Sequence, residues 1–120
     1  MEELILFDSE YKLMDIIWEN EPIRSGDIVK ICADRFDWKK STTYTVLKKL
    51  GEKGMVSNVD SVVTSLVPKE QVQESQSEQM INKSFGGSLP AFVSAFLKRG
   101  NITKEEAQEL IDLIETHIED

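Results

Sequence analysis

A change of hydrophobic period at residue 54 divides this chain. Up to Lys53 the apolar residues recur every three or four positions in three short runs. From Met55 to Val67 the chain is rich in Val, Ser and Thr and has no helical period. Three short helices followed at once by a β-type segment leave few ways to bury the apolar faces.

The first run predicts a helix over 8–20. Asp8 or Ser9 is the expected cap, Asp8 and Glu10 suit the positive end of the dipole, and Tyr11, Met14, Ile17 and Trp18 form the expected core stripe. Glu19-Asn20-Glu21-Pro22 ends it, and Ile23-Arg24 reads as a short extended piece. Ser25 is the expected cap of a second helix that carries Ile28, Ile31, Cys32 and Arg35 along one face and stops between Asp34 and Asp37. Trp38 anchors the passage to the next helix. That third helix covers roughly 40–53, with Thr43, Val46, Leu47 and Leu50 facing inward and Ser41, Thr42, Tyr44, Thr45, Lys48 and Lys49 outward. Gly54 stands where a left-handed C-terminal cap is wanted. This is the skeleton of a helix-turn-helix.

Met55–Val67 reads as two strands around a turn near Asp60-Ser61, closed by Pro68. A hairpin directly after the third helix makes the expected fold a winged helix-turn-helix, mostly α with a small β-hairpin wing. Residues 69–85 are polar and glutamine-rich, and read as an exposed connecting helix with Val72, Met80, Ile81 and Phe85 as its apolar anchors; Gly86-Gly87 closes it. Ser88 caps a fifth helix, in which Leu89, Phe92, Val93, Phe96 and Leu97 keep helical spacing until Lys98-Arg99-Gly100. Thr103 and Glu106 form a capping box, with Ile102 and Ala107 as its staple, for a sixth helix running to about His117. Leu110, Ile111, Ile114 and Ile118 share its apolar stripe. The expected division is a winged-helix head over 1–68 and a helical region over 69–120. Two short amphipathic helices have little core of their own. A second copy of the chain would cover them by two-fold pairing; the alternative is an intramolecular bundle on the head.

The net charge of −8 hides a segregated pattern. Residues 1–21 carry seven acids against Lys12, and 104–120 carry seven acids against Lys104. Between them lies one basic island: Arg35, Lys39, Lys40, Lys48, Lys49 and Lys53 against Asp37 and Glu52. A duplex feels the field of the docking face, because charges beyond about 8–10 Å are screened at physiological salt. The mean charge therefore does not veto DNA; it predicts weak non-specific affinity. A helix in the major groove needs small polar side chains against base edges and longer cations reaching phosphates. Ser41, Thr42, Tyr44 and Thr45 are the first kind; Lys39, Lys40, Lys48 and Lys49 are the second.

Other chemistry is poorly served. Cys32 is the one cysteine and His117 the one histidine, so neither an internal disulfide nor a Cys/His zinc cluster is expected. Cys32 reads as a small core residue and His117 as solvated. No nucleophile–base pair or glycine-rich phosphate loop stands out, and no catalysis, cofactor or metal is expected. No apolar run approaches the roughly 18–20 residues that span a bilayer, and Glu2-Glu3 does not open a signal peptide. A cytoplasmic chain without membrane contact is the expectation.

Three blocks resemble the penicillinase-repressor family of bacterial regulators (the BlaI/MecI/CopY type). Glu10-Tyr11-Lys12-Leu13-Met14-Asp15-Ile16-Ile17-Trp18 is similar to the family's E-W-x-x-M-x-x-x-W opening, with tyrosine at the first aromatic position. Trp38, Thr42, Thr45, Leu47, Leu50, Lys53 and Gly54 keep the spacing of its recognition-helix block. Phe85-Gly86-Gly87 before an apolar helix, then Ile102-Thr103-Lys104-Glu105-Glu106, is the third match. The resemblance implies a homodimeric winged-helix repressor whose head reads a palindromic operator in double-stranded DNA and whose C-terminal helices dimerise. It implies recognition-helix contacts from Thr42 and Thr45, with Tyr44 at a variable position between them, and it allows a sensor or protease that relieves repression. Departures are also plain. Lys39-Lys40 stands where members often have Ser-Pro, and Phe7 stands at the usual Thr/Ser cap. The wing is short, with Asp60 near its tip, which argues against wing-to-phosphate contact. The C-x-C motifs of the copper-responsive branch are absent, and the nearest match to the Asn-Phe cleavage bond of the β-lactam-responsive branch is Ala95-Phe96. The rival reading is a protein-interaction module with a degenerate winged head and little or no DNA binding.

Overall fold

The computed structural model describes residues 4–118, so Glu2 and Glu3 lie outside the described residues. In chain order the elements are α1 (Asp8–Asn20), β1 (Ile23–Arg24), α2 (Ser25–Phe36), α3 (Lys40–Glu52), β2 (Val56–Val59), β3 (Val62–Ser65), α4 (Lys69–Phe85), α5 (Leu89–Arg99) and α6 (Lys104–Thr116). They form two compact units, one ending at Ser77 and one beginning at Glu78.

In the first unit the core gathers on α1. Leu13, Met14, Ile16 and Ile17 are fully buried, together with Ile28 and Cys32 of α2, Leu50 of α3, Met55, Val63 of β3 and Val72 of α4. The stripe of α1 is rotated from the expected one. Tyr11 and Trp18 are half-buried and stack edge to face at 5.8 Å, while Leu13 and Ile16 take the inner positions. Trp18 keeps its ring at the margin because its indole N–H donates to the Val67 carbonyl at 3.0 Å. The unit reaches Ser77 rather than stopping at 68, since Val72 enters the core and Ser75 Oγ accepts from the Leu4 amide at 3.1 Å.

The expected caps of α1 and α2 each move by a residue or more. Phe7, not Asp8 or Ser9, is the N-cap of α1; its amide donates to Glu10 Oε1 at 2.8 Å, the half of a capping box that an acid at the third helical position supplies, without the hydroxyl half. Arg24, not Ser25, is the N-cap of α2. Ser25 is already helical, and its amide donates to the Ser61 carbonyl at 2.9 Å.

The sheet has three strands in the order β1-β3-β2, all antiparallel. The hairpin pairs Val59 with Val62 around a two-residue turn, and Ile23 pairs with Val63 on the other side. Asp60 and Ser61 both have positive φ, 52° and 64°. A two-residue turn of this hand matches the right-handed twist of its strands. At Gly54, φ is 76°, where a side chain would be strained.

The second unit holds the end of α4, then α5 and α6. Ser88 Oγ accepts from the Ala91 amide at 3.1 Å and caps α5. Thr103 and Glu106 cap α6 reciprocally, at 3.0 and 3.2 Å. Phe85 meets Phe92 edge to face at 5.5 Å. No residue of α5 or α6 is buried.

Candidate nucleic-acid interface

The outward face of α3 follows from its inward one. Thr43, Val46, Leu47 and Leu50 are buried, which turns Ser41, Thr42, Tyr44, Thr45, Lys48 and Lys49 to the surface with Lys39 and Lys40 at the helix start. The helix begins abruptly. Asp37 closes α2 with φ 57°, the Trp38 amide donates back to the Cys32 carbonyl at 3.3 Å, and Lys39 is the extended N-cap. Lys39 has no acceptor to offer the first amides and the first turn carries no acid, so neither the cap nor the first turn of α3 offsets its free donors and positive dipole. Along the face, the Thr45 hydroxyl donates to the Ser41 carbonyl at 2.8 Å, and the Lys40 ammonium lies 5.9 Å from the centre of the Tyr44 ring.

The basic island splits in three dimensions. Arg35 is paired with Glu19 at 3.7 Å. Lys53 is paired with Glu10 at 2.6 Å and donates to the Ile5 carbonyl at 3.1 Å. Lys39, Lys40, Lys48 and Lys49 have no ion pair among the described residues. The island's cations at this face are thus four lysines, all on or beside α3. The sequence marks Glu10 in one way: with Leu13, Met14 and Ile17 it keeps helical spacing, which puts an acid on the apolar stripe.

The wing lacks cations. Val59 is 63% exposed and is followed by Asp60 and an exposed Val62. In the second unit the expected pairing residues Leu89, Val93, Phe96, Leu97, Leu110, Ile111, Ile114 and Ile118 are exposed, and Phe92 is half-buried. Leu113, absent from the expected stripe, is exposed as well. Phe96 leaves 62% of its surface uncovered.

Cys32 is buried, and burial pushes its thiol above the ordinary value of 9.0, against weaker opposing effects from Thr43 and Arg35. His117 caps α6, with Nδ1 2.8 Å from the Leu113 carbonyl. Among the described residues no three His, Cys, Asp or Glu side chains converge as a metal ion would require, and no helix is long and apolar enough to cross a membrane.

The family model described as penicillinase repressor matches residues 6–116. The penicillinase repressor of Bacillus licheniformis is 26% identical over 114 residues, covering 92% of this chain and 89% of the relative. The methicillin resistance regulatory protein MecI of Staphylococcus aureus (strain N315) is 24% identical over 110 residues, covering 88% and 89%. Among solved structures, the DNA-binding domain of the repressor BlaI superposes with a TM-score of 0.53 at 22% identity, over 57% of this chain and 88% of that domain. Staphylococcus aureus MarR, solved with salicylate and kanamycin, superposes with a TM-score of 0.50 at 18% identity, over 92% and 70%. Both structural likenesses are of fold.

Proposed function

The chain belongs to the penicillinase repressor family, and from that premise we propose that it is a homodimeric DNA-binding repressor that reads an inverted repeat with α3 in the major groove. The supporting observation is the composition of α3's exposed face: Ser41, Thr42, Tyr44 and Thr45 flanked by four lysines that have no ion pair among the described residues. Short polar groups at the centre reach base edges, and the lysines at either end reach the two phosphate walls of the groove. One relative is named a penicillinase repressor and another a methicillin resistance regulatory protein, and one superposing structure is the DNA-binding domain of a repressor.

Dimerisation is supported by α5 and α6, which bury nothing; with Ile118 just after α6, this stretch exposes nine large apolar residues, Leu113 among them, beside a half-buried Phe92. Contiguous apolar surface of this kind marks an interface, and two-fold pairing would set two copies of α3 on two half-sites. The test is selection of duplexes from a randomised pool by the full chain, followed by gel shifts at graded salt. Recovery of a two-fold repeat supports the reading; recovery of no preferred sequence refutes it.

The second reading, a protein-interaction module, draws on the wing, where Val59, Asp60 and Val62 make an apolar, acidic tip. It is favoured if the selection fails while the chain remains folded.

A further inference from the structure

Lys53 follows Lys49 by four residues, so helical spacing would set it beside Lys49 as another phosphate ligand. It does not stand there. Its ammonium lies 2.6 Å from Glu10 Oε1, donates to the Ile5 carbonyl at 3.1 Å, and sits 4.7 Å from the centre of the Phe7 ring. Those three contacts belong to the first turn of α1 and the segment before it, and Lys53 is the C-cap of α3. The same Glu10 oxygen also accepts from the Phe7 amide at 2.8 Å. One carboxylate oxygen thus joins the start of α1 to the end of the candidate reading helix.

The cost of this arrangement is visible. Glu10 is 1% exposed, and its other oxygen, Oε2, is buried without a hydrogen-bond partner. The Lys53 side chain keeps 35% of its surface exposed, so the desolvation falls on the carboxylate; a buried carboxylate with an unsatisfied oxygen makes this pair a poor source of stability. An ion pair supplies what an apolar contact does not: a fixed direction and distance. Apolar packing has no preferred direction, whereas Glu10 Oε1, bonded at once to the Phe7 amide and the Lys53 ammonium, ties defined atoms of the two helices together.

We propose that the Glu10–Lys53 pair is a positioning device that sets the attitude of α3's outward face, and that Lys53 does not contact DNA. This rests on the repressor reading. The polar groups of α3 read base edges only when held within a fraction of an ångström, so a looser α3 would lose selectivity while keeping its phosphate-seeking lysines.

The test uses the full chain, a duplex it selects from a randomised pool, and a scrambled duplex. Binding is measured by fluorescence anisotropy over a salt series for Lys53→Met, Lys53→Arg and the double variant Glu10→Gln/Lys53→Met, which leaves no carboxylate unpaired. The preference for the selected duplex should fall about tenfold in the Met variants, the scale of one misplaced base contact. The salt slope on scrambled DNA should stay as in the unsubstituted chain, and Lys53→Arg should restore the preference. A slope reduced by about one would make Lys53 a phosphate ligand and overturn the proposal. An unchanged preference, or failure of both Met variants to fold, would overturn it too. If the unsubstituted chain selects no duplex, the repressor reading itself is lost, and the positioning role with it.

Discussion

The Thr45 hydroxyl donates to the Ser41 carbonyl one turn back, at 2.8 Å. With its proton committed inside the helix, Thr45 presents to an approaching ligand a methyl group and an oxygen able only to accept. In a major groove that surface suits an amino group or a thymine methyl. Thr45→Ala should therefore lose about 1–3 kcal/mol of discrimination between a selected duplex and a scrambled one, with little change on the scrambled DNA. Equal weakening on both, measured in one titration series, would remove Thr45 from base reading.

Lys48 is exposed on the same face and has no ion pair among the described residues. Lys48→Ala should weaken binding to all sequences alike and flatten the log–log salt dependence by about one unit. An unchanged slope would mean that Lys48 stays in solvent when DNA binds.

Phe96 is the most exposed large apolar residue of α5, at 62%. A carboxylate there would be buried unpaired in any apolar pairing of two copies, which costs several kcal/mol. Phe96→Asp should yield monomers in sedimentation velocity at concentrations where the unsubstituted chain is dimeric, with helix content retained. A persisting dimer would move the interface elsewhere.

Ser61 takes a left-handed conformation in the hairpin turn, with φ 64°. A side chain there costs about 1–2 kcal/mol that glycine avoids, offset in part by glycine's extra freedom when unfolded. Ser61→Gly should raise stability by about 0.5–1 kcal/mol in urea denaturation. The Ser25 amide bonds the Ser61 backbone carbonyl, which the substitution leaves in place. A loss of stability would show that the serine side chain matters to the turn.

Cys32 carries a linkage to pH. Its folded thiol titrates above the ordinary value because burial disfavours the thiolate. The folded state therefore holds its proton more tightly than the unfolded chain. That contribution is fully present below the unfolded value near 9.0 and is lost as pH rises through the folded value. Chemical denaturation should find stability declining above pH 9.0, and Cys32→Val should shrink that decline. A thiol reagent at neutral pH should label Cys32 only as the chain unfolds; rapid native labelling would contradict its burial.

Much of the fold is legible in local pattern. The bounds of α1, the four inward residues of α3, the turn at Asp60-Ser61 and the caps at Ser88 and Thr103 all follow from periods and capping chemistry that act within a few residues. The outward face of α3 is legible for the same reason: four buried positions at helical spacing leave the others to solvent. The sequence also shows which charges gather near α3, because they are neighbours in the chain.

What each charge does was decided only when distant segments met. Chain position groups Lys53 with Lys48 and Lys49, yet packing of α1 against α3 hands it to Glu10, 43 residues away. Arg35 goes to Glu19 in the same manner. The rotated stripe of α1 and the extension of the first unit to Ser77 have the same origin, since Trp18 answers to Val67 and Ser75 to Leu4. Periodicity reports how a residue stands on its own helix; which partner a side chain finds depends on contacts between elements, and those arise only on folding.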